Sequence, residues 1–355
     1  MKMTALKTVA LTFSMFTLAL TAACSTSSTA NNAASTQTAA PGAAAEVSAN
    51  QQTPVKVRLA IDTAAGGSFQ FRIAKDKGFF QKYGIEPEIS NFAYGIDTVN
   101  ALLISKADTA LAADYALINS LGKGNMTVVS ALTRTNEKSA AKTLLFVRDN
   151  INKPEDFKGK KLGVAKGTVY EYVWAKYLEK NHIDEKEVKY VPYSTPDEAF
   201  VSLQKGDMDA VWIGGALIDK FKTIKGVKSL IDVSGSGVNI SSYLLLDSSF
   251  VKNNPDAVSS VLKALDEGIR YIPDHKEETA EVAFKELKLP KDRVLEDLQS
   301  TNYTLGFTQE DFDHLQDVKQ WVENKGILKD KYELKDKINI DPLKKALPET
   351  ATYKP

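Results

Sequence analysis

Val55–Ile89, VKVRLAIDTAAGGSFQFRIAKDKGFFQKYGIEPEI, constrains this chain more than any other stretch, because it passes through a strand, a glycine-bearing turn, a helix and a second strand. Val55, Val57, Leu59 and Ile61 alternate with Lys56, Arg58 and Ala60 at the period of two that a half-buried strand requires. Ala64-Ala65-Gly66-Gly67 breaks that alternation, and Ser68 is a suitable N-cap. Apolar residues then return at helical spacing from Phe69 through Ile73 to Phe79 and Phe80, and Gly84 stops the helix before a second strand begins at Ile85. The unit is βαβ, which calls for a parallel sheet with helices against it.

A strand that feeds a helix N-terminus leaves backbone N–H groups unpaired beside the positive end of the helix dipole, so the turn at Gly66-Gly67 is either a tight connection or a place to hold an anion. The glycine order matches neither G-x-G-x-x-G nor the phosphate-cradling P-loop, and a nucleotide is not implied.

The segment Ala74-Lys75-Asp76-Lys77-Gly78-Phe79-Phe80, followed by Tyr83-Gly84-Ile85, resembles the opening signature of the solute-binding proteins of ABC importers in the nitrate, sulfonate and taurine branch. Two later stretches are similar to the same family. They are Phe157–Thr168 (FKGKKLGVAKGT) and Gly206–Trp212 (GDMDAVW), and with them the resemblance covers about Val55–Leu328.

Residues 1–23 have the form of a targeting segment: Lys2 and Lys7, an apolar run from Val9 to Leu20, then Thr21-Ala22-Ala23 before Cys24. The run is short for a membrane span and resembles a lipoprotein signal peptide, in which Cys24 becomes the lipid-bearing N-terminus. The position three before the cysteine is Thr21, with Leu20 one place earlier than the usual leucine; an ordinary cleaved leader is the alternative. Cys24 is the single cysteine, which excludes a disulfide framework within the chain. Residues 24–53 are almost all Ser, Thr, Ala, Asn and Gln, too polar to fold, and as a flexible tether would span roughly 30 Å. The formal net charge of zero gives no general attraction to nucleic acid or anionic lipid.

Beyond the tether the pattern predicts two α/β lobes. The first begins at residues 54–145, with a helix at Gly95–Lys106, a strand at Asp108–Ala112, a helix starting at Asp114-Tyr115 and a buried strand at Met126–Leu132. The second occupies residues 146–240, with strands at Lys161–Ala165, Val188–Pro192, Asp209–Ile213 and Gly226–Val233, and helices at Val169–Lys180, Thr195–Lys205 and Gly215–Lys222. Lys142–Asp149 and Tyr243–Ser248 read as paired crossover strands that carry the chain out and back. Residues 241–345 return to the first lobe, mainly as helices, including one capped by Asn254 with Val258, Val261, Leu262 and Leu265 on one face and one capped by Thr308. Pro342–Pro355 reads as a loose tail, with the lobe ending at residue 345 and the tail proper at 346–355.

The fold class expected is therefore α/β, a two-lobe periplasmic-binding-protein fold of type II, each lobe a mostly parallel sheet flanked by helices with two crossover strands as hinge. In such sheets ligands sit beyond the carboxyl ends of the strands, which selects Ala64–Phe69, Phe92–Gly95, Ala113–Tyr115 and Thr133–Asn136. The resemblance implies ligand contacts from Gly67, Ser68 and Phe69 at the first helix start, Asp114 and Tyr115 at the second, Gly167, Thr168 and Tyr170 across the cleft, and Trp212 at the end of a lobe-two strand. Arg134 could serve as a bidentate anion clamp or lie solvated. Many family members carry Glu-Pro where this chain has Gly214-Gly215, which opens the question of ligand charge; Asp114 leaves room for an amine-bearing or zwitterionic solute.

His182, His275 and His314 show no metal-ligand spacing, and neither H-E-x-x-H nor G-x-S-x-G occurs. The expectation is a binding protein with no catalytic residues, cofactor or metal. It captures a sulfonate, taurine or nitrate-like anion, or alternatively a heterocycle such as a thiamine precursor. Its partners would be an ABC permease and its ATPase, with no nucleic acid; it would be a monomer, lipid-anchored on the extracytoplasmic face of the cell membrane. A sensor in place of the permease, and a thiamine-pyrimidine-synthase-like enzyme, are the other readings. The enzyme family depends on a cysteine-rich motif that is absent here.

Overall fold

The computed structural model describes residues 53–63 and 68–354. The expected leader, Cys24 and nearly all of the tether lie outside these residues, as does the Gly66-Gly67 turn. Among the described residues no helix is long and apolar enough to cross a membrane.

Eleven strands form among the described residues. They are β1 (Val55–Asp62), β2 (Ile85–Phe92), β3 (Thr109–Ala113), β4 (Met126–Thr133), β5 (Thr143–Arg148), β6 (Lys161–Val164), β7 (Lys189–Pro192), β8 (Ala210–Gly214), β9 (Val227–Asp232), β10 (Ser242–Asp247) and β11 (Tyr303–Gly306). Lobe I holds the six-stranded sheet β11-β4-β10-β3-β1-β2, and lobe II the five-stranded sheet β7-β6-β8-β5-β9. The opening βαβ unit forms as its alternation requires, with β1 parallel to β2 from Val55↔Ile85 to Asp62↔Phe92. Its helix runs Phe69–Asp76 and breaks at Gly78, whose φ of 72° ends one helix and starts the short turn Phe79–Lys82.

Both sheets are mixed, and the reason is how the chain crosses between them. β10 is antiparallel to β3 and β4, and β5 is antiparallel to β8 and β9. The expectation that the two crossover segments pair with each other is corrected: each lies inside a different sheet. A chain that leaves one lobe at the cleft must enter the other at its cleft end, so its first strand runs away from the cleft, against strands that finish there. The connections themselves are residues 134–142 and 233–241. They touch through Thr135, whose Oγ1 accepts from the Ile240 N–H at 2.8 Å and donates to the Ile240 carbonyl.

Tyr243, Leu244, Leu245 and Leu246 of β10 are all fully buried, as expected of a central strand covered on both faces. The helix Pro255–Tyr271 buries Val258, Val261, Leu262 and Leu265; Asn254 precedes it, but its side chain donates back to the Phe250 carbonyl instead of capping. The helix Gln309–Asn324 starts at Thr308, whose hydroxyl accepts from the Asp311 N–H while the Asp311 carboxylate accepts from the Thr308 N–H. The expected loose tail is also corrected. Pro342 starts the helix Asp341–Ala346, Leu343 and Tyr353 are buried, and Tyr353 stacks on Phe312 with ring centres 4.9 Å apart. A proline at the first turn and leucines four apart on one face give this segment both a helix start and something to bury.

Candidate ligand-binding cleft

A cavity of about 150 Å³ lies between the lobes. Lobe I walls it with Asp62 at the end of β1, Tyr94, Gly95 and Ile96 at a helix start, Ala113 at the end of β3, and Thr133 and Arg134 at the end of β4. Lobe II contributes Thr143 at the start of β5, Thr168, Val169 and Tyr170 at another helix start, and Gly214-Gly215 after β8. Asp297 and Asn302 close one side.

Two helices from opposite lobes, Gly95–Leu103 and Val169–Lys180, thus present their first residues to one space. The first amides of a helix have no carbonyl a turn behind them, and the helix dipole is positive at that end. Thr168 fixes the second start: its Oγ1 accepts from the Tyr170 N–H at 3.2 Å and donates to the Ala165 carbonyl at 2.7 Å. Gly167 turns the chain there with a φ of 77°, and its N–H donates to Glu171 Oε2 at 2.8 Å. Gly214 leaves room for the Tyr170 hydroxyl, because a Cβ at 214 would sit 3.0 Å from it. Burial first, and then the charge of Asp62, raise the Tyr170 pKa, so its hydroxyl stays protonated as a donor.

The structure separates the expected site residues. Thr168, Tyr170 and Arg134 line the cavity. Gly167 supports the turn behind Thr168, and Gly67 lies outside the described residues. Ser68 is buried at the start of its helix and makes no side-chain cap bond. Phe69 packs with Ile73, Ile272 and Val294 in a side cluster of lobe I and does not line the cavity. Trp212 is 0% exposed, its indole edge-on to Trp174 and Tyr177 in the core of lobe II, and it does not reach the cavity either. Every residue of β8 is buried, so alternation in the sequence gave no sign of which face Trp212 takes.

Arg134 turns one edge of its guanidinium into lobe I. Its guanidinium is already bidentate on the buried Asp311, at 2.7 and 2.6 Å, and donates to Thr304 Oγ1 at 3.0 Å. Lys142 pairs with Glu296 at 3.1 Å. Asp114 is likewise withdrawn from the cavity. Its carboxylate accepts from the Tyr115 N–H at 2.7 Å, from the Ser241 N–H at 3.1 Å and from His314 Nε2 at 2.8 Å. Burial by itself would lower the His314 pKa, yet the bond to Asp114 and the charges of Asp114, Asp311 and Asp317 raise it above the usual histidine value. The charged residues that line the cavity are Asp62, Arg134, Lys142 and Asp297.

Tyr94 falls in Phe92–Gly95, one of the loops the strand-end rule selects, whereas Asp62, Ile96, Thr143 and Asn302 were not anticipated. Asp62 carried one sign, a lone acidic residue closing an apolar strand. The others depend on which loops the fold brings together.

A family model described as NMT1/THI5 like matches residues 68–279, more than half of the chain and both lobes of the cleft. The chain belongs to that family. A Bacillus subtilis relative that bears the name of an aliphatic sulfonates-binding protein is 23% identical over 232 residues, covering 64% of this chain and 68% of the relative. The structure of the alkanesulfonate-binding protein SsuA from Xanthomonas axonopodis pv. citri, bound to MOPS, aligns with a TM-score of 0.70 at 14% identity, over 81% of this chain and 99% of that one. A desulfurization enzyme, DszB, aligns with a TM-score of 0.63 at 14% identity, over 83% of this chain and 99% of that one. The architecture is the two-lobe fold of periplasmic binding proteins. Because the neighbours include an enzyme, the fold alone does not decide between capture and turnover.

Proposed function

We propose that this chain is the extracytoplasmic solute-binding protein of an ABC importer, closing two lobes over a small organic solute and passing it to a permease driven by an ATPase. The observation that carries this reading is the convergence of the helix starts at Gly95 and Val169, one from each lobe, on a single cavity. A sulfonate oxygen set can be met there by backbone N–H groups, with Tyr94 and Tyr170 covering the apolar part. The names of the Bacillus and Xanthomonas proteins support an aliphatic sulfonate.

Taurine and simple alkanesulfonates are the first ligands this reading calls for. The test is thermal melting of the protein against taurine, simple alkanesulfonates, nitrate and a thiamine-precursor pyrimidine. A ligand that binds only the folded state adds about 2.7 kcal/mol at a hundred times its dissociation constant. A rise with taurine that is lost in Thr168→Ala supports the proposal. A rise only with the pyrimidine discards the sulfonate, and no rise with any of them turns attention to a sensor partner or an enzymatic role. Lipidation at Cys24 has a separate test: globomycin, which blocks the lipoprotein signal peptidase, should make precursor accumulate.

A further inference from the structure

The two lobes meet a second time outside the cavity. Tyr115, on the lobe I helix Asp114–Ile118, stacks on Tyr172 of the lobe II helix Val169–Lys180, with ring centres 5.6 Å apart and planes 8° from parallel. Trp321, from the lobe I helix Gln309–Asn324, meets the same Tyr172 ring edge-on at 4.8 Å and 71°. Two hydrogen bonds cross at the same place: Trp321 Nε1–H donates to Glu179 Oε2 at 3.1 Å, and the Tyr115 hydroxyl donates to Glu171 Oε2 at 3.3 Å. None of these residues lines the cavity.

The contact is connected to the site from behind. Glu171 Oε2 also receives the Gly167 N–H, so the oxygen that meets Tyr115 holds the turn that places Thr168. On the other side, Asp114 ties the start of the Tyr115 helix to Ser241 in the connection between the lobes. Tyr115 is 1% exposed in this closed arrangement, and opening the cleft would strip the Tyr172 ring from it.

We propose that Tyr115, Tyr172 and Trp321 form an aromatic latch between the lobes, which holds part of the empty protein closed and makes these three residues determine affinity without touching solute. Apparent affinity scales with the fraction of molecules already competent to bind. Two aromatic contacts beyond simple area burial shift a closed-to-open ratio by roughly tenfold. The affinity consequence rests on the solute-binding reading; the latch itself does not.

The test therefore uses no solute. Spin labels on Lys106→Cys in lobe I and Lys205→Cys in lobe II, both exposed positions, in the full chain carrying Cys24→Ser, report the interlobe distance by pulsed electron resonance. The empty protein is expected to show a short-distance population, retained in Tyr172→Phe and reduced roughly tenfold relative to the long one in Tyr172→Leu. Trp321→Leu, at a more peripheral site, should give a smaller fall in the same direction and keeps the test valid if Tyr172→Leu folds poorly. A single long distance in the unaltered latch, or a short population indifferent to both leucine substitutions, overturns the proposal. Failure of every solute in the melting panel would defeat the binding reading and leave this result standing.

Discussion

The two walls of the cleft are held in place by different means. The wall from lobe I carries charge, and that charge is spent on distant parts of the same lobe: Arg134 on Asp311, 177 residues away, and Asp114, just behind the wall, on His314, 200 residues away. The wall from lobe II is nearly free of charge and is shaped locally, by Thr168 closing on Ala165 and Tyr170 and by glycines at 214 and 215. In lobe I, these pairs act as braces that fix one C-terminal helix, Gln309–Asn324, against the sheet. In lobe II, the groups presented to the cavity are backbone amides and hydroxyls that need no brace.

Four measurements can break or sharpen this contrast. The largest effect belongs to Trp212→Ala, which empties the aromatic centre of lobe II and should lower the free energy of unfolding by about 3–5 kcal/mol in denaturant melts. A variant that unfolds like the parent but fails to bind solute would return Trp212 to the site. Next comes Asp311→Ala, which removes both the Arg134 partner and the reciprocal cap at Thr308, at about 3 kcal/mol. Arg134 is about a third exposed and regains some hydration, which keeps the figure below that of a fully buried pair. Because the freed guanidinium then faces the cavity, sulfonates should bind that variant more tightly in calorimetry; unchanged binding would mean that the brace never opposed a grip. Thr168→Ala should cost about 1 kcal/mol in stability, the value of one N-cap, and disproportionately more in solute affinity.

The smallest effect is a pH dependence. His314 has a folded-state pKa above its ordinary value, so its bond to Asp114 contributes stability fully present below about pH 6.5 and lost as pH rises through the raised value. Melting temperature should therefore decline with rising pH in that window for the parent chain and decline less in His314→Gln. Identical slopes would remove the histidine from the brace.

How much of this could be read from the chain follows the same division. The alternation of β1, the helix Val169–Lys180 and its Thr168 cap are set by residues within a turn or two of one another, and the structure has them where the pattern put them. Thr308 and Asp311 form their capping pair over three residues. The role of Arg134 needed a partner from the far end of the chain, and nothing near it indicates which of many acids that would be. Trp212 failed for another reason: a strand buried on both faces has no polar side to orient it. The C-terminal segment was misread because Leu343, Leu347 and Tyr353 are too few for a periodic signal, although together they seal one corner of lobe I.

The place of β10 bears on the order in which the molecule can be built. β10 lies between β3 and β4, yet it is made only after all of lobe II. A nascent chain that has reached residue 241 can pair β1 with β2 and β3, while β4 has no neighbour on either side. Lobe II by then has all five of its strands, and its ends are adjacent, Leu144 opposite Asp232. The lobe that starts second can thus be finished first, and the lobe that starts first keeps two unpaired strand edges until six more residues emerge. Those edges invite pairing with other chains in the interval. A ribosome stalled with the chain clear of the exit tunnel up to Ser241 and β10 still inside would hold a complete lobe II beside an unjoined β3 and β4, and one stalled later, with β10 also clear, would hold those two strands joined.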